Sequence, residues 1–108
     1  MTTFDNREKA FEAKYEHDQE LQFKVNARRN KLLGLWAAGL LGKAGADADA
    51  YAKEVVMADF EKPGDSDVMH KLMTDLAAAG KTTDENTIRK ESDRLADEAK
   101  KQIMTEIR

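Results

Sequence analysis

The sequence contains no cysteine and only one proline among its 108 residues. Without cysteine the chain cannot form a disulfide scaffold, a thiol nucleophile, a cysteine-ligated zinc site or an iron–sulfur centre. One proline and six glycines are too few for a turn-rich β-sandwich or a Pro/Gly-rich low-complexity chain. The length itself supports one small domain.

The sequence also lacks an excess of basic charge and a long apolar run. It has 18 Lys and Arg against 21 Asp and Glu, and the resulting net charge of −3 argues against a dedicated nucleic-acid-binding protein. The longest apolar run, residues 32–42, is too short to span a bilayer, and the N terminus does not resemble a secretory signal. We therefore expect a cytoplasmic protein that does not insert into the membrane.

Apolar residues recur at helical spacing through most of the chain, while the alternation typical of strands is not sustained. The connections between the periodic segments are short, which favours antiparallel neighbours in a four-helix bundle. The sequence thus predicts an all-α fold whose four helical segments cover about residues 4–41, 47–60, 65–79 and 83–107.

Two local patterns predict where helices end and begin. Gly42 follows the first apolar stripe and suits the left-handed position just beyond a helix C terminus. Thr82 and Glu85 have the spacing of a capping box, which places the start of the last helix near Thr83.

Residues that could support catalysis or bind a metal are sparse. His17 and His70 are far apart and neither has a histidine four residues away, so no metal site is expected. The two serines, Ser66 and Ser92, lie in no Gly-x-Ser-x-Gly elbow, and nothing in the pattern joins a nucleophile to a base. We therefore expect a protein that is not an enzyme.

A glycine-rich segment between Gly39 and Gly45 invites comparison with a phosphate-binding loop. It departs from that motif twice, with Ala37 at the first glycine position and Ala44 at the hydroxyl position. A helix end followed by a connector explains the glycines, and no cofactor is required. Weak ADP or ATP binding at the next helix N terminus with Lys43, in a small nucleotide sensor, stays open as an alternative.

The strongest local excess of positive charge comprises Lys24, Arg28, Arg29 and Lys31. A solvated helix flank or a docking surface for an acidic partner explains this cluster best. A peripheral adaptor that binds a membrane surface, or RNA, is the alternative.

The N-terminal segment is highly charged yet holds three of the seven aromatic residues of the chain, Phe4, Phe11 and Tyr15. Their spacing of seven and four places them on one helical face. Aromatic residues on such a face either anchor a helix in a partner's groove or pack on the rest of the chain, and spacing alone favours neither.

Residues 4–15, 28–42 and 51–60 closely resemble the zeta subunit of alphaproteobacterial F-type ATP synthases. The resemblance implies a bundle over residues 20–108 and a flexible or partly helical inhibitory arm over residues 1–19. In that family the arm enters a catalytic interface between alpha and beta subunits, beside the gamma shaft, and blocks ATP hydrolysis. It also implies a monomer when free, attached to the inner membrane only through the ATP synthase. By position, the residues expected to bind the partner are Phe4, Arg7, Lys9, Phe11, Lys14 and Tyr15.

Overall fold

The computed structural model describes the backbone of residues 3–61 and 65–106, and side-chain surroundings within residues 8–59 and 67–106. The described residues contain no strand, so the prediction of an all-helical chain is confirmed for them. Five helices follow one another: α1 (Thr3–His17), α2 (Gln19–Leu40), α3 (Gly45–Glu61), α4 (Asp65–Ala78) and α5 (Glu85–Glu106).

Asp18 divides the predicted first helix into α1 and α2. Its backbone is extended (φ −108°, ψ 103°), and its Oδ1 atom accepts a hydrogen bond from the amide of Leu21 at 3.1 Å. The amide of Asp18 donates to the carbonyl of Lys14 at 3.0 Å. Aspartate is favoured at such an N-cap because its carboxylate satisfies an amide that has no partner within the helix. The prediction of one continuous segment over residues 4–41 is therefore wrong at this residue.

The two predicted helix ends have different outcomes. Gly42 has φ +80°, and the amide of Lys43 donates to the carbonyl of Ala38 at 2.8 Å, so the left-handed end of α2 is confirmed. At the start of α5 the cap is Asp84 rather than Thr82, because the amide of Thr87 donates to Asp84 Oδ1 at 2.7 Å. This hydrogen bond holds the pKa of Asp84 below its ordinary value.

The main apolar cluster lies among α2, α3, α4 and α5. Its members are the inward-facing residues of four amphipathic helices, and burying them together supplies the dominant favourable contribution to folding. The buried members are Leu33, Ala37, Ala38, Tyr51, Val55, Val68, Leu72, Leu76, Ile88 and Leu95.

Gly34 allows α2 and α3 to approach closely. A Cβ atom placed on Gly34 would lie 2.7 Å from the Cα atom of Ala52 and 3.2 Å from the Cβ atom of Val55. Since the nearer atom belongs to the backbone of α3, a larger residue could be accommodated only by separating the helices. The absence of a side chain at this position therefore sets the distance between α2 and α3.

A polar cluster joins α3 to α4 at the edge of the main cluster. The hydroxyl of Tyr51 donates to Asp75 Oδ2 at 2.8 Å, and Lys71 Nζ lies 3.1 Å from the same oxygen atom. The Lys71 ammonium also lies 5.1 Å from the centroid of the Tyr51 ring. Burial, together with the neighbouring Asp75 carboxylate, raises the pKa of Tyr51, so its hydroxyl remains a donor at neutral pH.

Over the described ranges, no helix combines the length and the apolar character needed to cross a bilayer.

Substituting Gly34 with alanine is expected to lower the free energy of unfolding by about 1–3 kcal/mol, because the new methyl group overpacks the α2–α3 contact. The matched control is Gly39→Ala in the same helix, where an added Cβ atom meets nothing within 4 Å. That change should be neutral or stabilising by up to about 1 kcal/mol, since alanine favours a helix over glycine. Urea denaturation of both variants measures the difference, and equal stabilities would contradict the close approach.

Candidate functional site

Helix α1 packs against α2 and α5 through a second apolar cluster, which we call the arm cluster. Phe11 is the buried member of this cluster that comes from α1, and it is only 6% exposed. The other buried members are Leu21 and Val25 of α2 and Ala99 and Ile103 of α5. The aromatic face of the N-terminal segment is thus partly buried within the chain itself.

Lys100 of α5 holds the next turn of α1. Its Nζ atom lies 4.5 Å from the centroid of the Tyr15 ring and 3.6 Å from Oε2 of Glu12. A cation over an aromatic face is attracted by the negative potential that the ring quadrupole creates there, and the carboxylate adds an ion pair. The Tyr15 ring is also stacked near Phe11, with centroids 6.3 Å apart and planes 22° apart. We call the contacts of Lys100 with Glu12 and Tyr15 the Lys100 clasp.

Gln22 of α2 forms a further attachment at the end of α1. Its Nε2 atom donates to the carbonyl oxygen of Tyr15 at 2.7 Å and to that of Glu16 at 3.3 Å. Carbonyl groups in the last turn of a helix have no partner within the helix, so a side-chain donor from the next helix satisfies them. The bond fixes the angle between α1 and α2.

An ion pair holds the C-terminal half of α5 against α2 and so maintains the surface on which α1 rests. Arg28 donates to both carboxylate oxygens of Glu106, at 2.5 and 2.9 Å, and to Oε1 of Gln102 at 2.8 Å. Its hydrogen bonds lower the pKa of Glu106, and the hydrogen bond to Glu106 raises the pKa of Arg28. Both side chains thus remain charged at neutral pH.

The structure brings two of the six predicted partner-binding residues together, since Phe11 and Tyr15 lie side by side against α5. Lys9 and Lys14 are exposed. The side chains of Phe4 and Arg7 lie outside the described residues. The role of these six residues in binding a partner stays a prediction.

Three residues that hold the arm, Glu12, Gln22 and Lys100, were not among the predicted site residues. Glu12 and Gln22 are polar residues within charged helices, where a solvated position is the ordinary expectation. The contact of Lys100 with α1 depends on which end of α5 meets the N terminus, and periodicity carries no information on that point.

The described residues contain no group of three or more His, Asp and Glu side chains placed to hold a metal ion.

The comparisons with known proteins give a family and a related structure. A family model described as ATPase inhibitor subunit zeta matches residues 1–102. A chain solved by solution NMR shares 49% sequence identity and superposes with a TM-score of 0.70. The match covers 81% of this chain and 99% of the solved chain. The comparison with curated proteins gives no match.

If α1 is held mainly by the arm cluster, Phe11→Ala should release it without unfolding the other helices. Burial of a phenylalanine side chain contributes roughly 1.5–3 kcal/mol, so we expect hydrogen exchange of the α1 amides to accelerate about tenfold or more, up to the rate of a released helix. Hydrogen exchange followed by NMR measures this residue by residue. The control is Lys14→Ala, which removes an exposed side chain of the same helix. Equal acceleration in α1 and α3 would show that α1 opens only when the whole chain unfolds.

Proposed function

Because the chain belongs to the ATPase inhibitor subunit zeta family, we propose that it blocks ATP hydrolysis by inserting its N-terminal arm, residues 1–19, into an F-type ATP synthase. The arm enters a catalytic interface between alpha and beta subunits, beside the gamma shaft. It acts as a physical obstruction, a regulatory role that needs neither catalytic groups nor a cofactor.

The observation that carries this proposal is the separation of the two apolar clusters. The buried members of the main cluster come from α2, α3, α4 and α5, whereas α1 contributes to the arm cluster through Phe11. Helix α1 is also joined to α2 through the single residue Asp18. An N-terminal arm can therefore leave while the main cluster, in a four-helix bundle over residues 20–108, keeps its packing.

Insertion requires the arm to exchange one set of contacts for another. Phe11 and Tyr15 cannot pack against α5 and fill a cleft in the ATP synthase at the same time. If all contacts together favour the docked state by about 2 kcal/mol net, close to what one buried phenylalanine contributes, only about one molecule in thirty has a released arm. The apparent affinity for the ATP synthase falls by the same factor, because the partner binds the released form.

In the inserted state, we assign the aromatic residues and the cations of the arm different roles. Phe4, Phe11 and Tyr15 fill apolar pockets of the cleft, as aromatic anchors do in many interfaces. Arg7, Lys9 and Lys14 pair with acidic groups of the alpha, beta and gamma subunits. The bundle remains outside as a tether, so a monomer associates with the inner membrane only through the ATP synthase.

Removing the arm should abolish inhibition and leave the other helices folded. The truncation that tests this begins at Asp18, because that residue caps α2 and its loss would destabilise the helix independently of the arm. Full-length and truncated chains are compared in a hydrolysis assay with purified F-type ATP synthase, and circular dichroism reports their folding. Equal inhibition by the truncated chain would show that the arm is not the inhibitory segment.

Weakening the Lys100 clasp should make the protein a stronger inhibitor, since the arm keeps all of its own side chains and is released more often. A cation–π contact that solvent still reaches contributes about 0.5–1 kcal/mol, so Lys100→Gln should lower the half-inhibitory concentration by roughly two- to fivefold. Phe11→Ala is less informative here, because it both releases the arm and removes an anchor.

The control for this experiment is Lys90→Gln, which makes the same chemical change at an exposed residue of α5 that does not line the cavity beside Phe11 and Glu12. It should leave the half-inhibitory concentration unchanged. If the arm instead inhibits from its docked position, the half-inhibitory concentration of Lys100→Gln will equal or exceed that of the wild type.

A further inference from the structure

A groove runs along α2 and α3. Two adjoining cavities of about 490 and 520 Å³ share Lys31 and Val56 in their walls. We call the surface that they form the α2–α3 groove. The residues that line it include Phe23, Ala27, Lys31, Lys53, Val56 and Met57.

The α2–α3 groove exposes large apolar side chains. Phe23 is 52% exposed and lines one cavity, and Met57 is 51% exposed and lines the other. Val56 of α3 lines both cavities, and Ala52 of the same helix lines one of them. Single exposed apolar residues are ordinary on a protein surface, but a contiguous apolar surface rimmed by charges is typical of an interaction site.

The rim of the groove is basic, although the chain as a whole carries a net charge of −3. Four basic side chains line the two cavities, against the two acids Asp49 and Glu106. Glu106 is held by Arg28 and Lys24 Nζ lies 3.7 Å from Oε1 of Glu20, so the positive character of the rim comes from the exposed residues Lys31 and Lys53. The groove therefore complements a ligand that is apolar at its centre and negative at its edges.

We propose that the α2–α3 groove docks an acidic amphipathic helix of the ATP synthase. A groove between two packed helices accepts the side-chain ridge of a third helix. The apolar side of the docked helix covers Phe23, Val56 and Met57, and its carboxylates lie beside Lys31 and Lys53. This inference rests on the proposed function, because it assigns a second contact to the same partner.

Such a contact would act with the arm rather than replace it. Once the groove has docked, insertion of the arm becomes an intramolecular step, and the effective concentration of the arm at the cleft rises. The groove thus determines how readily the protein reaches the enzyme, while the arm determines whether hydrolysis stops.

The test uses full-length chains and purified F-type ATP synthase. The groove variant is Lys31→Glu with Lys53→Glu, both at exposed positions, and the matched control is Lys81→Glu with Lys90→Glu, also exposed. A third variant, Met57→Gln, probes the apolar part of the groove without a charge change. Binding is measured by interferometry at two salt concentrations, the half-inhibitory concentration is measured in the hydrolysis assay, and thermal melting reports folding.

We expect the groove variant to bind the ATP synthase about tenfold more weakly, mainly through slower association and with less dependence on salt. Its half-inhibitory concentration should rise by the same factor, while inhibition at saturation stays complete. Met57→Gln should weaken binding by about threefold, and the control should behave as the wild type.

Several outcomes would overturn the docking proposal. Unchanged binding by the groove variant would contradict it. Equal losses of binding in the groove variant and the control would also contradict it, because they would indicate a response to net charge. A third outcome is that the wild type binds vesicles containing anionic lipid, the groove variant does not, and inhibition is unchanged. That result would assign the groove to a membrane surface. In all of these cases the wild type still inhibits; a wild type that neither binds nor inhibits would instead refute the proposed function as well.

Discussion

Helix α2 is the element on which both apolar clusters depend. Its C-terminal half supplies Leu33 to the main cluster, its N-terminal half supplies Val25 to the arm cluster, and Leu32 packs against both. On the side of the main cluster, α3 lies close against α2, because Gly34 has no side chain to hold the two helices apart. With α3 and α4 engaged in the main cluster, α1 rests on the N-terminal half of α2 and the facing part of α5. The position of α1 therefore follows from how α2 is shared between the two clusters.

The contacts that hold α1 on the chain also decide how often α1 is free to bind elsewhere. A helix of 15 residues is marginally stable alone in water, so α1 needs the contacts of Phe11 and the Lys100 clasp to remain helical. Each additional contact with the chain itself lowers the fraction of molecules whose arm is free to bind elsewhere. A single buried aromatic residue and the half-buried Lys100 hold the helix on the chain, and under the proposed function a partner cleft that buries more aromatic surface would replace these contacts. The charged remainder of α1 keeps the released arm soluble.

Sequence patterns predicted the features that depend on residues close together in the chain, such as helix faces and one helix end. The spacing of Phe11 and Tyr15 placed them on one face, and Gly42 ended α2 as expected. Asp18 was missed because its carboxylate lies within a polar stretch, where hydropathy gives no sign that one residue leaves the helix. The Lys100 clasp could not be predicted, since its members are separated by most of the chain and meet only through the fold. The basic cluster was recognised as a unit, whereas the structure ties Arg28 to Glu106 and leaves Lys31 on the groove.

Within the basic cluster, Arg28 and Lys31 make different contacts, which the near-neutral net charge of the chain does not reveal. Arg28 stabilises the surface beneath α1, because it holds the C-terminal half of α5 against α2. Lys31, three residues further along α2, lines both cavities of the α2–α3 groove, and Arg28 lines one of them. One short basic segment thus supports the docked arm on one side and presents positive charge to a partner on the other.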